Sequence, residues 1–296
     1  ERAIVSPVAG TTRDAVDSEV VRGGKSYRFI DTAGIRRKGK TNQLSEKLSV
    51  IMARKHLERA DVALVIADAA AGISAGDATI AGYAHESGRS VIIVLNKWDL
   101  ALQKAREAVE KARKEKDKAP RGRREPEKFG RRQRDAVRVV SADPERLAED
   151  YGPLIRDRLK FLPYAPIIHI SALTGDRVER LYALIDQVAA ARRRRVTTGE
   201  INRWLANVDL DRGTSPGARR VKIFYVTQAA TSPPTFILFT NQKDRLHFSY
   251  ERFLENRMRE TFDFTGTPIR FIQRVKERGH RERSKTAEKR RRTDLH

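Results

Sequence analysis

The sequence predicts an α/β fold, in which a mostly parallel sheet carries helices on both faces and a small α+β domain follows. Three short runs that are apolar on both sides alternate with helical stretches, and they lie at Asp61–Asp68, Ser90–Leu95 and Pro166–Ser171. Such strands are typical of parallel sheets buried between two layers of helices. After Arg192–Arg195 the order changes to helix, strand, strand, helix and strand within about 80 residues, which is typical of an α+β domain.

The first domain, residues 1–195, is predicted to contain a hairpin ahead of the buried strands. Val16–Arg22 and Ser26–Asp31 are strand-like, and Gly23-Gly24 between them supplies a tight two-residue turn. Helical periodicity then marks the stretches that alternate with the buried strands. These helices are predicted at Leu44–Arg59, Ala75–Ser87 and Val178–Arg194.

The second domain, residues 196–278, is predicted to be small and to hold five elements. The helices are expected at Glu200–Val208 and Ser249–Phe262, and the strands at Val221–Ala229, Thr235–Asn241 and Pro268–Val275. Residues 279–296 form a basic tail that we expect to be disordered.

A basic insert, residues 101–146, interrupts the first domain. Residues 104–146 contain 16 Lys or Arg against 9 Asp or Glu, and few large apolar side chains. Such a stretch buries too little apolar surface to offset its ordering entropy, so we expect a floppy or solvated-helical segment. The insert is either a charged surface segment without a binding function or a segment that contacts RNA non-specifically.

The composition excludes several classes of protein. The net charge of +22 and the pI of about 10.6 point to a polyanionic partner such as nucleic acid. The absence of Cys excludes disulfide scaffolds, Cys-ligated zinc and Cys nucleophiles, and is compatible with the cytoplasm. No apolar run approaches the ~18 residues of a membrane span, so no membrane partner is expected. Because the chain starts at Glu1 with no signal peptide, we expect it to be the middle or end of a longer protein.

Two motifs near the start of the chain suit a nucleotide phosphate and a metal ion. The run Asp31-Thr32-Ala33-Gly34 ends a predicted strand, where open α/β sheets bind ligands. In a nucleotide hydrolase such an Asp supports Mg²⁺, usually through water, and the Gly amide meets the γ-phosphate. The earlier run Gly10–Asp14 contains Thr12, which we favour over Thr11 as a Mg²⁺ ligand in a switch loop. Thr12, Asp31 and Gly34 are the predicted catalytic residues, and Thr12 and Asp31 the predicted metal ligands.

Two further motifs follow buried strands and suit a guanine base. In Asn96-Lys97-Trp98-Asp99, the carboxylate of Asp99 can accept from both the ring N–H and the exocyclic amine of guanine, a pattern that adenine lacks. The stem of Lys97 can lie on the base, and Asn96 can hold the loop. In Ser171-Ala172-Leu173, a small residue allows a backbone N–H to reach the guanine oxygen.

Together these motifs resemble the Der (EngA) family, the bacterial double-Era-like GTPases that are similar to ribosome-assembly factors. The matching runs are GTTRD (10–14), DTAGIRRKGK (31–40), ERADVALVIAD (58–68), NKWDL (96–100), YAPIIHISALTG (164–175), ARRRRVTTGEINRWL (191–205), VKIFYVTQ (221–228), PPTFILFTN (233–241), HFSYERFLENRMRE (247–260) and TPIRF (267–271). The resemblance implies a P-loop-GTPase-like sheet and a KH-like second domain. It also implies GTP or GDP and Mg²⁺ as ligands, and the large ribosomal subunit and its rRNA as partners.

The chain departs from the family pattern at several places. No G-x-x-x-x-G-K-[ST] precedes the Gly10–Asp14 run, and the one match to this pattern, residues 34–41, overlaps the D-T-A-G motif and the basic switch. The phosphate-binding loop and the first G domain are therefore expected upstream of Glu1. Ala9 replaces a proline, the insert is long, and the second domain has no G-x-x-G, since Gly213 and Gly217 enclose three residues. Ile35 stands where Ras-like enzymes place a water-orienting Gln. Some GTPases with such a hydrophobic substitution use K⁺, which makes K⁺ a candidate ion.

These features predict GTP binding and slow hydrolysis by the parent protein, coupled to assembly of the large ribosomal subunit. RNA or the ribosome is expected to order the basic switch at residues 34–41, so that the GTP state controls rRNA binding. The first alternative is a non-enzymatic RNA- or ribosome-binding piece that lacks a phosphate-binding loop. The second is an Era-type single GTPase, and an ATPase is a weaker third because Asp99 disfavours adenine.

Overall fold

The computed structural model describes residues 17–30, 55–118, 143–208, 221–241 and 244–275. These residues confirm the predicted α/β class and the small α+β domain after it. The chain forms two compact units, one of residues 1–192 with 264–268 and one of residues 193–263 with 269–296. The first unit therefore takes a short segment from late in the chain, which the sequence does not predict. None of the helices in these described ranges is long and apolar enough to cross a bilayer.

The predicted hairpin is confirmed. Strands β1 (Asp17–Arg22) and β2 (Lys25–Ile30) pair antiparallel. Gly23 and Gly24 form the turn at φ of +55° and +75°, which residues with a Cβ rarely adopt. The hairpin is joined to helix α4 (Val178–Arg193) through Asp186, which accepts hydrogen bonds from Lys25 at 2.5 Å and from the Tyr27 hydroxyl at 3.0 Å.

The three predicted buried strands form one parallel sheet in the order β3-β4-β5. They span Val62–Asp68, Ser90–Asn96 and Ile167–His169. In the central strand β4, successive side chains enter different cores. Val91, Ile93 and Leu95 join one buried cluster, and Ile92 and Val94 join another with Leu181 and Val188 of α4. The central strand is therefore covered on both faces, as predicted.

One face of this sheet carries three helices, α1 (Ala75–Glu86), α2 (Trp98–Lys118) and α3 (Pro144–Arg158). Helix α1 begins in a capping box, where Ser74 and Asp77 satisfy each other's backbone N–H groups. Helix α2 runs into the predicted insert, and its residues Ala101 and Ala105 are buried in the core. The middle of the insert, residues 119–142, lies outside the described residues.

Helix α3 is not predicted from the sequence. Its periodicity is obscured because Pro153 lies inside it and charged residues surround Leu147 and Ile155, both of which are buried. The start signal is nevertheless present. Asp143 caps the helix by accepting from the N–H groups of Glu145 and Arg146, and Pro144 occupies the first turn.

The second unit has the predicted order of helix, strand, strand, helix and strand. Its elements are α5 (Thr198–Asn207), β6 (Ile223–Thr231), β7 (Pro234–Thr240), α6 (Phe248–Phe262) and β8 (Arg270–Val275). The sheet order is β6-β7-β8, with the first pair antiparallel and the second parallel. Asn202 ties α5 to β6, because its side chain both donates to and accepts from the backbone of Val226.

Candidate functional site

The carboxyl ends of β3, β4 and β5 lie at one edge of the parallel sheet. Asp68 and Asn96 are register partners at the ends of β3 and β4. Residues 171–173 follow β5 at the same edge, because β4 and β5 are also parallel. Ligands of open α/β sheets bind outside this edge. The topology thus brings together the loops that carry the predicted base-recognition residues.

Asn96 holds three of these loops together. Its Oδ1 accepts from the backbone N–H of Lys97 at 2.8 Å and from that of Ala172 at 2.9 Å. Its backbone carbonyl accepts from the N–H of Ala69 at 2.8 Å. One side-chain amide therefore fixes the distance between the loops after β4 and β5, which the sequence separates by about 75 residues.

Lys97 has a left-handed backbone conformation, with φ of +61°. A non-glycine residue rarely adopts this conformation, and such strained residues cluster at active sites and ligand-binding loops. The Lys97 ammonium lies 2.8 Å from Oδ2 of Asp68. Lys97 is therefore held at its backbone N–H by Asn96 and at its ammonium by Asp68.

Asp68 is a site residue that the sequence analysis does not single out. Its Oδ1 accepts from the N–H groups of Ala70 and Ala71 at 2.8 and 3.2 Å. The hydrogen bond from Lys97, more than these backbone bonds, lowers the pKa of the Asp68 carboxyl. The available signal was an acidic residue at the carboxyl end of a buried strand, beside the strand that carries Asn96.

Asp99 occupies the first turn of α2. Its Oδ1 is buried, and within the described part of the chain it has no hydrogen-bond partner. A buried carboxylate oxygen without a donor loses solvation with no compensation. A ligand that supplies N–H donors at this edge would satisfy it, and the Watson–Crick edge of guanine carries two such groups.

Trp98 and His169 pack together beneath the loop. Their ring centroids are 4.2 Å apart and Trp98 is fully buried. The backbone N–H of Trp98 donates to the carbonyl of Ile170 at 3.0 Å. Burial, with a smaller contribution from Arg177, lowers the pKa of His169 to about 4. His169 is therefore neutral at pH 7 and acts as a packing surface for the loop.

The predicted run Ser171-Ala172-Leu173 forms a turn closed by its own hydrogen bonds. Ser171 is buried, and its hydroxyl accepts from the N–H of Thr174 at 3.2 Å. Leu173 is 88% exposed. The Ala172 N–H already donates to Asn96, so a guanine oxygen bound there would share this N–H with Asn96. The structure thus places Asn96, Lys97, Asp99 and Ala172 around one edge.

The residues predicted to bind the phosphates and the metal ion lie elsewhere in the chain. Thr12, Asp31, Thr32, Ala33 and Gly34 are outside the described residues, so their roles stay predictions. In the described ranges, no group of three or more His, Cys, Asp or Glu residues is placed to hold a metal ion.

Two family models match this sequence. One is described as a 50S ribosome-binding GTPase and matches residues 1–97. The other is described as the KH-domain-like C-terminal region of EngA bacterial GTPase enzymes, and it matches residues 195–274. The second match favours the Der-type arrangement over the Era-type alternative for the C-terminal domain.

Curated relatives named GTPase Der match nearly the whole chain. The protein from Acetivibrio thermocellus is 41% identical over 279 residues, which are 94% of this chain and 54% of the relative. The protein from Geobacillus sp. (strain WCH70) is 44% identical over 275 residues, 93% of this chain and 54% of the relative. This chain therefore spans about half the length of the relatives it matches.

Two solved structures of Era also align with the chain. An Aquifex aeolicus Era variant bound to GDP·AlF₄⁻ has a TM-score of 0.40 and 19% identity, covering 92% of this chain and 84% of that one. An Era complex with MgGDPNP and a segment of 16S rRNA has the same TM-score, 21% identity and the same coverage. At these values neither likeness bears on activity or partner.

Proposed function

This chain belongs to the Der family of GTPases, and from that premise we propose that it binds GTP and GDP through the loops after β4 and β5. The observation that carries the proposal is the arrangement at that edge. Asn96 joins the two loops, and beside it Asp99 has a buried oxygen that accepts no hydrogen bond from the described residues. A base with two adjacent N–H donors fits this acceptor.

The residues of this edge have distinct roles in the proposal. Asp99 accepts from the ring N–H and exocyclic amine of guanine, which selects against adenine because adenine cannot present both donors. Lys97 lies along the base, with its ammonium kept in place by Asp68. Asn96 sets the spacing of the loops, and the residues from Ser171 to Leu173 close the site beside the guanine oxygen.

The phosphate side of the proposal rests on sequence motifs. Thr12 and Asp31 would hold Mg²⁺, which supplies electrostatic stabilisation of the phosphate charge. Gly34 would contact the γ-phosphate through its amide. Since Ile35 cannot orient water, we propose that intrinsic hydrolysis is slow and that K⁺ contributes. In a chimaera that carries the phosphate-binding segment of a Der relative ahead of Glu1, replacing KCl by NaCl should then lower the steady-state GTPase rate, and an equal rate would remove K⁺ from the proposal.

We also propose that the partner is the large ribosomal subunit through its rRNA, that the GTP state controls this binding, and that the protein acts in the cytoplasm. The family model that matches residues 1–97 is described as a 50S ribosome-binding GTPase. The net charge of +22 suits a polyanionic partner. Co-sedimentation with purified ribosomal subunits, with GDP or a non-hydrolysable GTP analogue, tests all but the location.

The decisive experiment on the base site is Asp99→Asn. The chain has no G-x-x-x-x-G-K-[ST] ahead of Thr12, so the test uses a chimaera with the phosphate-binding segment of a Der relative ahead of Glu1. Losing a charge-assisted contact to two donors should weaken GDP binding by about 2–4 kcal/mol and allow xanthosine diphosphate to compete. Calorimetry with both nucleotides measures this.

A matched control for this experiment is Asp176→Asn, which removes the same charge near the same edge. The Asp176 side chain is 57% exposed and pairs only loosely with Arg177, at 3.9 Å. It should leave both affinities unchanged. Equal GDP affinity for Asp99→Asn and the unaltered chimaera would exclude Asp99 from the base site.

The second candidate function is non-enzymatic RNA or ribosome binding, which is favoured by the lack of that motif ahead of Thr12, since its one match, residues 34–41, overlaps the D-T-A-G motif. We expect the 296-residue chain to bind GDP far more weakly than the chimaera and to hydrolyse GTP at background rate. Titration of a fluorescent GDP analogue against both proteins measures the difference. Tight, Mg²⁺-dependent binding by the chain itself would show that another segment replaces the loop.

A further inference from the structure

The β6-β7-β8 sheet of the second unit has one buried face and one that is largely accessible. Along β7 the residues alternate, with Phe236, Leu238 and Thr240 buried and the residues between them half-buried. The register places Ile237 beside Ile272 and Phe239 beside both Tyr225 and Arg274. We call this accessible side the outer face; it is formed by Tyr225, Ile237, Phe239, Arg270, Ile272 and Arg274.

The outer face exposes aromatic and aliphatic groups that a sheet normally buries. Tyr225 is 42% exposed and Ile272 is 45% exposed. The Tyr225 and Phe239 rings contact each other, with centroids 5.7 Å apart. A bulge between Ile223 and Tyr225 leaves Phe224 exposed next to Tyr225. Adjacent exposed apolar residues of this kind mark an interaction surface.

The charge of this sheet has a single sign. Strands β6, β7 and β8 contain Arg270 and Arg274 and no Asp or Glu. Just before β6, the ammonium of Lys222 lies 5.6 Å from the centre of the Phe224 ring. Cations interleaved with aromatic rings, without acidic residues, complement a chain of phosphates that carries planar bases.

We propose that the outer face binds single-stranded RNA, with bases stacked on Tyr225 and Phe239 and phosphates contacted by Arg270 and Arg274. The inference rests on the RNA partner of the proposed function and names where and how that RNA is bound. A single strand is required because bases in a duplex are stacked on each other and cannot meet side-chain rings. The lack of a G-x-x-G in the second domain is consistent with RNA binding at a surface other than the usual KH groove.

The test compares two ligands for the 296-residue chain, a labelled ten-nucleotide oligouridylate and an abasic ribose-phosphate oligomer of the same length. Fluorescence anisotropy gives both affinities. Tyr225→Leu should weaken oligouridylate binding about fivefold or more, the effect of one lost base stack, without changing the abasic affinity. Tyr225→Phe should restore the oligouridylate affinity, because the ring is retained. Phe161→Leu, which alters an exposed aromatic ring of the first unit, should change neither.

The charged and aliphatic parts of the outer face provide further variants. Arg274→Gln should weaken binding of both oligomers and lower the slope of log affinity against log salt by about 0.7. Ile272→Glu should also weaken both, since a carboxylate repels phosphates. This surface position tests the proposal independently if Tyr225→Leu does not fold, as judged by circular dichroism.

The outcomes separate this inference from the proposed function. If the chain binds neither oligomer, the inference fails, while co-sedimentation with purified ribosomal subunits decides separately whether the RNA partner stands. If it binds both equally and Tyr225→Leu has no effect, stacking is wrong while the RNA partner stands. A photoreactive benzoylphenylalanine at position 272 that crosslinks to protein, not RNA, in purified large subunits would show a protein-docking face and overturn the proposal.

Discussion

Asp68 and Asp99 are two carboxylates at the same edge of the sheet, yet they differ in the hydrogen-bond donors that surround them. Asp68 accepts from Lys97 and from two backbone N–H groups, and these bonds lower its pKa. Asp99 keeps one buried oxygen without a partner in the described ranges. Because Asp99 keeps a buried oxygen without a donor, we propose that it binds the base and that Asp68 positions Lys97.

At the same scale, His169 makes stability depend on pH. Its pKa is about 4 in the folded chain, below the ordinary value of 6.5, because burial disfavours the charged ring. The unfolded chain therefore binds more protons between these values, so the contribution is complete above pH 6.5 and is lost as pH falls toward 4. His169→Gln should remove about 1–2 kcal/mol of the stability difference between pH 7 and pH 5.

Urea denaturation of both proteins at the two pH values measures this effect. The comparison cancels the contribution of the other histidines, which both proteins retain. The same loss of stability in the variant and in the unaltered chain would show that His169 titrates normally.

At the scale of elements, the strands were easier to predict than their connections. The three strands of the parallel sheet were predictable because each is a short run with apolar residues on both faces of the strand, followed by a polar residue. Helix α3 was missed because Pro153 and charged residues mask its period. The link from Asn96 to Ala172 and the left-handed backbone of Lys97 depend on packing between distant segments, for which one sequence gives no signal. The motifs thus located the base edge but not its internal bonding.

The segment 264–268 is the element whose role only the structure reveals. Gly266 accepts from the Val91 N–H at 2.7 Å and donates to the Tyr164 carbonyl at 3.1 Å, which fastens the segment to the start of β4. A buried hydrogen bond of 2.8 Å also joins the Ser90 and Thr267 hydroxyls. These contacts satisfy buried polar groups of β4 that the rest of the sheet leaves unpaired.

Gly266→Ala should destabilise the first unit. Gly266 has φ of +69°, and a Cβ there would lie 2.7 and 2.9 Å from the two methyl groups of Val188. We expect a loss of about 2–4 kcal/mol, from the unfavourable backbone conformation together with the clash. Thermal unfolding followed by circular dichroism measures it.

Gly72→Ala is the matched control, because Gly72 has φ of +80° and nothing within 4 Å of its added Cβ. It should cost only about 1–2 kcal/mol, the penalty of the backbone conformation. Equal losses for the two variants would mean that the segment shifts without resistance and does not hold β4.

At the scale of the whole molecule, the net charge of +22 predicts salt-sensitive RNA binding. A deletion that tests this must leave the core intact, and Ala105 and Leu147, which lie within and next to residues 104–146, are core residues. Removing only residues 119–142 takes away 8 Lys or Arg and 3 Asp or Glu. A short Gly-Ser linker in their place should weaken binding to rRNA fragments and reduce its salt dependence, without unfolding the sheet.

Filter binding at two salt concentrations tests this prediction. A variant with the order of residues 119–142 scrambled keeps the charge and should bind as the unaltered chain does, because phosphate contacts of this kind do not depend on sequence. If the deletion changes neither affinity nor salt dependence, the insert is a solvent-exposed segment that has no part in RNA binding.

Because residues 264–268 belong to the first unit, the first unit cannot be completed until translation has reached them. During translation, strand β4 leaves the ribosome long before Gly266 and Thr267 have been made. Until then the Val91 N–H and the Ser90 hydroxyl lack the partners that they have in the folded unit. Completion of the first unit thus waits until residues 193–263, the larger part of the second unit, have been translated. Expressing residues 1–195 alone would therefore yield a first unit that permanently lacks its last five-residue segment. A nascent chain stalled before residue 264 should be more sensitive to protease than one stalled well beyond it.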